Sequence, residues 1–135
     1  MLNVLVTNGT ASREVLEELL PFIDAMNIDL KGFREAYYRK LGGDLETVKA
    51  FIARAQESCH VELTTLIVPG ENHFPEDMEA QAKWIAGLRP TIPLHITRFF
   101  PRHRMRDREA TDAGQLYRLA GIAERYLEKV YVGNV

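Results

Sequence analysis

Short apolar runs alternate along this chain with stretches of helical periodicity, and that alternation restricts the fold more than any other feature. Residues 2–7 form the first run, ending in the turn signal Thr7-Asn8-Gly9. Residues 12–22 follow as a helix. Val15, Leu16, Leu19 and Leu20 fall at helical spacing, Ser12 is the N-cap and Pro21 sits near the end. Residues 25–30 read as a second strand stopped by Lys31-Gly32. A polar, aromatic-bearing segment, 33–41, leads through Gly42-Gly43 to a helix capped by Asp44, with Leu45, Val48, Phe51 and Ile52 on its apolar face. Residues 61–68 are the clearest strand, running into Pro69-Gly70. Residues 75–87 form a helix with Pro75 at its first position and Glu76, Asp77 and Glu79 where they suit the helix dipole. Residues 93–99 make a fourth strand. Thr111 and Asp112 cap a helix that runs through Tyr126, and 130–132 is a short last strand.

Strands separated by helices of this length cannot form hairpins, so they pair in parallel through right-handed crossovers. The expected fold is therefore α/β, with functional residues at the C-terminal ends of the strands. Five strands are too few for a closed eight-stranded barrel and suit an open sheet or part of a barrel. A chain of 135 residues with 46% hydrophobic content reads as one domain over residues 1–135. The formal net charge of −2 offers no electrostatic footprint for nucleic acid or an anionic membrane. No apolar run approaches a membrane span and the N-terminus has no signal-peptide core, so a cytoplasmic location is expected. A single cysteine, Cys59, excludes an internal disulfide and any all-cysteine metal site built from this chain alone.

The strand ends collect polar residues. Alternation places Asp29 and Lys31 on one side of their strand, where they suit a zwitterionic ligand: lysine meets a carboxylate, aspartate an amine, a ribose hydroxyl or a cation. A plain ion pair at the rim explains the same pattern equally well. Thr7-Asn8-Gly9 is more simply a turn. His95 and Thr97 share a face, with Arg98 opposite unless the strand has ended, and a lone histidine there is more often hydrogen-bonded core than catalyst. Cys59 reads as a small buried residue. The basic segment 102–108 reads as a solvated connection, or as a clamp for an acidic partner or a phosphate. There is no GxGxxG, P-loop, HExxH, GxSxG or CxxC pattern. From residues alone the reading ends at an α/β domain with a polar site at its strand tips.

Taken in order, Val6-Thr7-Asn8-Gly9, Asn27-Ile28-Asp29-Leu30-Lys31 and Leu66-Ile67-Val68-Pro69-Gly70 resemble the successive strand-end motifs of radical S-adenosylmethionine (SAM) enzymes of the pyruvate formate-lyase-activating type. The stretch Val61-Glu62-Leu63-Thr64-Thr65-Leu66-Ile67-Val68-Pro69-Gly70-Glu71-Asn72 resembles a third block of the subgroup encoded with the Memo and AMMECR1 proteins. His95-Ile96-Thr97-Arg98-Phe99-Phe100-Pro101 and Tyr131-Val132-Gly133-Asn134-Val135 resemble its later blocks, so the resemblance spans essentially the whole chain.

The resemblance implies a partial (βα)6, TIM-like barrel, of which this chain is the C-terminal portion from the third strand onward. In that family a CxxxCxxC loop holds a 4Fe–4S cluster through three thiolates, and SAM is cleaved reductively to a 5′-deoxyadenosyl radical. Carried onto this chain, Thr7, Asn8, Asp29 and Lys31 approach the methionyl part of SAM or an adjacent cation. Leu66, Val68 and Pro69 lie near adenine, and His95 and Arg98 face the substrate side. The cluster cysteines and the family's Gly-Gly-Glu segment are absent, so this chain supplies no catalytic residue and no metal ligand. SAM and the cluster are expected in the parent protein, and the isolated chain is expected to be inactive. Val6 stands where the activating enzymes often have aspartate and Thr64 where they often have arginine. A protein substrate or a Memo/AMMECR1-type protein is the implied partner. Two further expectations remain: a cluster-free module binding SAM, a nucleotide or a partner protein, and a homo-oligomer formed through the unpaired edge of residues 2–7.

Overall fold

The computed structural model describes residues 2–99 and 111–133. Strands and helices alternate as the periodicity requires. In order they are β1 (Val4–Thr7), α1 (Arg13–Leu19), β2 (Ala25–Asp29), α2 (Glu35–Lys40), α3 (Leu45–Ser58), β3 (His60–Ile67), α4 (Pro75–Leu88), β4 (Leu94–Arg98), α5 (Ala113–Ala123) and β5 (Val130–Gly133). The strands form one parallel sheet in the order β1-β2-β3-β4-β5. That consecutive order describes an arc of a βα barrel; a doubly wound sheet reverses order part-way across.

Period-two alternation gives the sheet two different faces. Met26 and Ile28 of β2, Val61, Leu63 and Ile67 of β3, and Leu94 and Ile96 of β4 are buried. They form one core with Leu16, Val48, Ile52, Met78, Ala82, Ile85, Leu116 and Leu119 from the helices. Each such aliphatic side chain contributes about 1.5–3 kcal/mol on full burial. The alternate positions, Asn27, Asp29, Glu62, Thr64, His95 and Thr97, are only half-buried, because among the described residues no helix covers that face.

Local chemistry explains the boundaries. The Ser12 hydroxyl accepts from Val15 N at 3.3 Å, and the Asp44 carboxylate accepts from Thr47 N at 2.9 Å, capping α1 and α3. Helix α1 ends before Pro21, which cannot donate a backbone hydrogen bond, and the chain continues as a 3-10 turn over Leu20–Phe22. The helix expected through Tyr126 stops at Ala123, where the backbone tightens: Arg125 N donates to Ile122 O and Tyr126 N to Ala123 O. The segment 33–41, to which the sequence assigns no element, holds a helix, α2. Its N-cap, Arg34, makes no side-chain cap, and burial of Tyr38 fixes it instead. Phe100, Pro101, the basic segment 102–108, Asn134 and Val135 lie outside the described residues. Among the described residues no helix is long and apolar enough to cross a membrane.

Candidate functional site

At the C-terminal ends of β2, β3 and β4 the open face of the sheet forms a cleft of about 410 Å³. It is lined by Asp29 and Lys31 from the end of β2, Tyr37 and Leu41 from α2 and its C-cap, Thr64, Leu66 and Val68 from β3 and the residue just past it, and Thr97 from β4. Register explains the meeting. Asp29 pairs with Thr64, and Leu66 pairs with Thr97, all at positions of the same parity.

Lys31 Nζ lies 3.6 Å from Asp29 Oδ2, with both side chains about two-fifths exposed. An ion pair of that length and exposure contributes roughly 0–1 kcal/mol, so it adds little to stability and leaves both charges available to a ligand. The backbone beneath them is held far more firmly. Lys31 N donates to the Tyr38 hydroxyl at 2.8 Å. Burial pushes the Tyr38 phenol up to about 12. The buried Asn72 uses its whole amide here. Its Nδ2 donates to Lys31 O and Leu66 O, each at 2.7 Å, and its Oδ1 accepts from Val68 N at 2.7 Å.

A second buried set lies behind the strand tips. Gln81 Nε2 donates to Thr65 Oγ1 at 2.9 Å, and Thr65 Oγ1 donates to Leu30 O at 2.6 Å. The Thr111 hydroxyl donates to Ile67 O and accepts from Phe99 N. Thr65, Asn72, Gln81 and Thr111 are the buried polar side chains of the described residues. All four stitch strand ends together, so the tips of β2, β3 and β4 form a rigid rim for the cleft.

The residues singled out in the sequence do not all converge. Asp29, Lys31, Leu66 and Val68 do. Thr7 and Asn8 spend their side chains inside the turn after β1: Thr7 Oγ1 accepts from Gly9 N at 3.2 Å, and Asn8 Oδ1 accepts from the Thr10 hydroxyl at 2.7 Å. Pro69 follows Val68 into the turn at Gly70 and is outside the cleft wall. His95 stands beside the cleft, in register with Thr64 but outside the lining, with Nε2 2.6 Å from Glu62 Oε1 and its ring stacked on Tyr131 at 5.1 Å. Arg98 alternates to the other side of β4 from His95 and Thr97, and its Nε donates to Thr111 O at 2.7 Å. The structure therefore separates His95 from Arg98, because three residues along a strand reverse the face.

Glu62, Thr64, Tyr37 and Asn72 were not picked out in the sequence as site residues. Glu62 and Thr64 had a signal, since a carboxylate and a hydroxyl alternating with Val61, Leu63 and Thr65 mark one polar face of a core strand. Asn72 had none beyond its place in a polar loop. Cys59 is half-buried between α3 and β3, at the end of the sheet away from the cleft, and burial raises its thiol pKa. Among the described residues no group of three metal-ligating side chains comes together.

Comparison with known proteins agrees with this geometry. Residues 2–85 match the radical SAM superfamily. An uncharacterized protein of Methanocaldococcus jannaschii is 36% identical over 138 aligned positions, which take in all of this chain and 41% of that protein. The chain thus spans about two-fifths of the length of this curated relative. A solved structure, that of a domain of pyruvate-formate lyase-activating enzyme from Bacteroides vulgatus ATCC 8482, is similar with a TM-score of 0.81. The match covers 98% of this chain and 81% of that domain at 19% identity. The chain belongs to the radical SAM superfamily, and its fold is the α/β, partial TIM-like fold of the pyruvate formate-lyase-activating type.

Proposed function

We propose that this chain is the C-terminal portion of the barrel of a radical SAM enzyme of the glycyl-radical-activating kind, and that its cleft orients SAM. The observation that carries this is the cleft itself: a cation and an anion at its rim, facing apolar Leu66 and Val68, in a chain of this superfamily. Lys31 would meet the methionyl carboxylate, and Asp29 the methionyl amine, a ribose hydroxyl or a neighbouring cation. Leu66 and Val68 would pack on adenine, with Pro69 at the adjoining turn. Thr7 and Asn8, on the strand next to Asp29, would approach the methionyl end. Arg98, bonded to Thr111, has no part in this reading.

SAM, when bound and reduced by one electron, supplies a 5′-deoxyadenosyl radical; the residues here bind and orient it. The 4Fe–4S cluster does not fit this chain's own residues. It needs three thiolates, and Cys59 is the only cysteine and lies at the far end of β3 from the cleft. Cluster ligands would come from outside these 135 residues, and the isolated chain would be inactive. The exposed β1 edge and the two-fifths coverage of the relative support a larger barrel. A protein substrate or a Memo-type companion would then act on that larger assembly. The solitary cysteine favours a second reading, in which the cleft serves a cluster-free module for SAM or a nucleotide.

The test is titration of SAM into the 15N-labelled chain. The amides of residues 29–31 and 64–68 are expected to shift, and Asp29→Asn or Lys31→Ala to weaken binding with the fold retained. Amides that stay still at saturating SAM would remove the cofactor from this cleft. Anaerobic iron and sulfide reconstitution is expected to leave the chain colourless; a stable 4Fe–4S chromophore would contradict the assignment of cluster ligands.

A further inference from the structure

From the row of Thr64 toward the start of β3, the open face holds a carboxylate between two imidazoles. Glu62 Oε1 lies 2.6 Å from His95 Nε2, and Glu62 Oε2 lies 2.9 Å from His60 Nε2. Hydrogen bonds from His95 and then His60 hold the Glu62 carboxyl below its usual range. At neutral pH Glu62 is therefore ionised and can only accept, so each imidazole carries its proton on Nε2. For His95 this fixes the tautomer and leaves the lone pair on Nδ1, which has no protein partner among the described residues.

Two further contacts fix where that ring stands. Tyr131 stacks on it at 5.1 Å with an interplanar angle of 26°. Thr64, its register partner on β3, and Thr97, two residues along β4 on the same face, both line the cleft. The ring thus adjoins the cleft floor with its side chain about one-third exposed. A hydrogen bond at the sheet surface accounts for His60 and Glu62. It does not account for a second imidazole, oriented on one nitrogen, stacked on a tyrosine and left open on the other nitrogen beside a cavity.

We propose that His95 is the proton acceptor for the ligand that occupies this cleft beside SAM, that Glu62 is its positioning residue, and that the ligand presents a hydroxyl or amine toward β4. When it acts, the ligand's O–H or N–H bond breaks with its electron pair left on oxygen or nitrogen. An Nδ1–H bond forms, and Glu62 balances the charge of the imidazolium. A ligand with only apolar groups on that side would leave Nδ1 and the Thr97 hydroxyl without a partner, so the floor selects for a polar one. The inference rests on the proposed cofactor site for SAM's place beside the ligand; the dyad and its lone pair do not depend on it.

Imidazole 15N NMR on the 135-residue chain tests it, with ethanolamine as the probe because it carries one hydroxyl and one amine. In the wild type His95 is expected as the Nε2–H tautomer, and its Nδ1 resonance to move upfield, saturably, as ethanolamine is added. Glu62→Ala is expected to return His95 to a mixture of tautomers and to abolish the response, whereas Glu62→Gln, which keeps an acceptor oxygen, preserves the tautomer. An Nδ1–H tautomer in the folded wild type, or an Nδ1 resonance that ethanolamine never moves, overturns the proposal without use of any variant. A still SAM titration beside a responding Nδ1 sinks the cofactor reading alone; a responding SAM titration beside a still Nδ1 sinks this one alone.

Discussion

Asn72 shows how much of the site depends on a single side chain. Its amide ties Lys31 O, Leu66 O and Val68 N at three distances of 2.7 Å, and it is buried. Asn72→Ala strands two acceptors and one donor at the cleft rim, where each unsatisfied group costs about 1–3 kcal/mol. The expected loss is on the order of 3 kcal/mol in urea unfolding, together with weaker SAM binding, since the ends of β2 and β3 lose their tie. A midpoint indistinguishable from wild type would show that water replaces the amide. None of this was legible locally. Asn72 reaches Lys31 across 41 positions of sequence, and from the chain it is one more polar residue after Pro69-Gly70. Glu62 is different, because its alternation with apolar neighbours marks its face and puts His60 two residues away on the same side, even though its other partner, His95, comes from β4.

Elements whose stability is local are readable, and those held by tertiary contact are not. Caps and Pro75 place the starts of α1, α3 and α4 within a residue of where they are observed, although α1 ends three residues before the expected Phe22. Helix α2 has six residues and no side-chain cap, too short to be stable alone, and it exists because Tyr38 is buried and accepts from Lys31 N. The turn after β1 is an intermediate case. Gly9 has φ +71°, and a Cβ there would lie 3.2 Å from Ile28 Cγ2 and 3.3 Å from Val48 Cγ1. The turn residues were legible; the packing of α3 onto them was not. Gly9→Ala combines a left-handed backbone with that crowding and is expected to cost about 1–2 kcal/mol or more. Thermal unfolding checks it, and an unchanged Tm would mean the turn relaxes freely.

Among the described strands, β1 pairs on one side only, with β2. Val4 and Val6 of β1 are 64% and 73% exposed, and Phe22 on the helix side is 70% exposed. Parallel strands are ordinarily covered on both faces, and an apolar edge with free backbone groups pairs with other strands. The isolated chain is expected to self-associate through β1, seen as a concentration-dependent rise in sedimentation coefficient, and Val6→Lys to suppress it. A strictly monomeric profile at high concentration counts against that edge as an interface.

By itself, the sequence determined that strands alternate with helices, that the sheet is parallel, and that Asp29 and Lys31 share one side of their strand, as do His95 and Thr97. These follow from periods of two and 3.6 along the chain. Only the tertiary structure decided which side stays open, which strand-end residues meet in the cleft, and that Glu62, Asn72 and Tyr38 serve it. The physical reason is register. Periodicity fixes a residue's parity within its own strand, but its neighbour across the sheet depends on how each crossover helix packs into the common core.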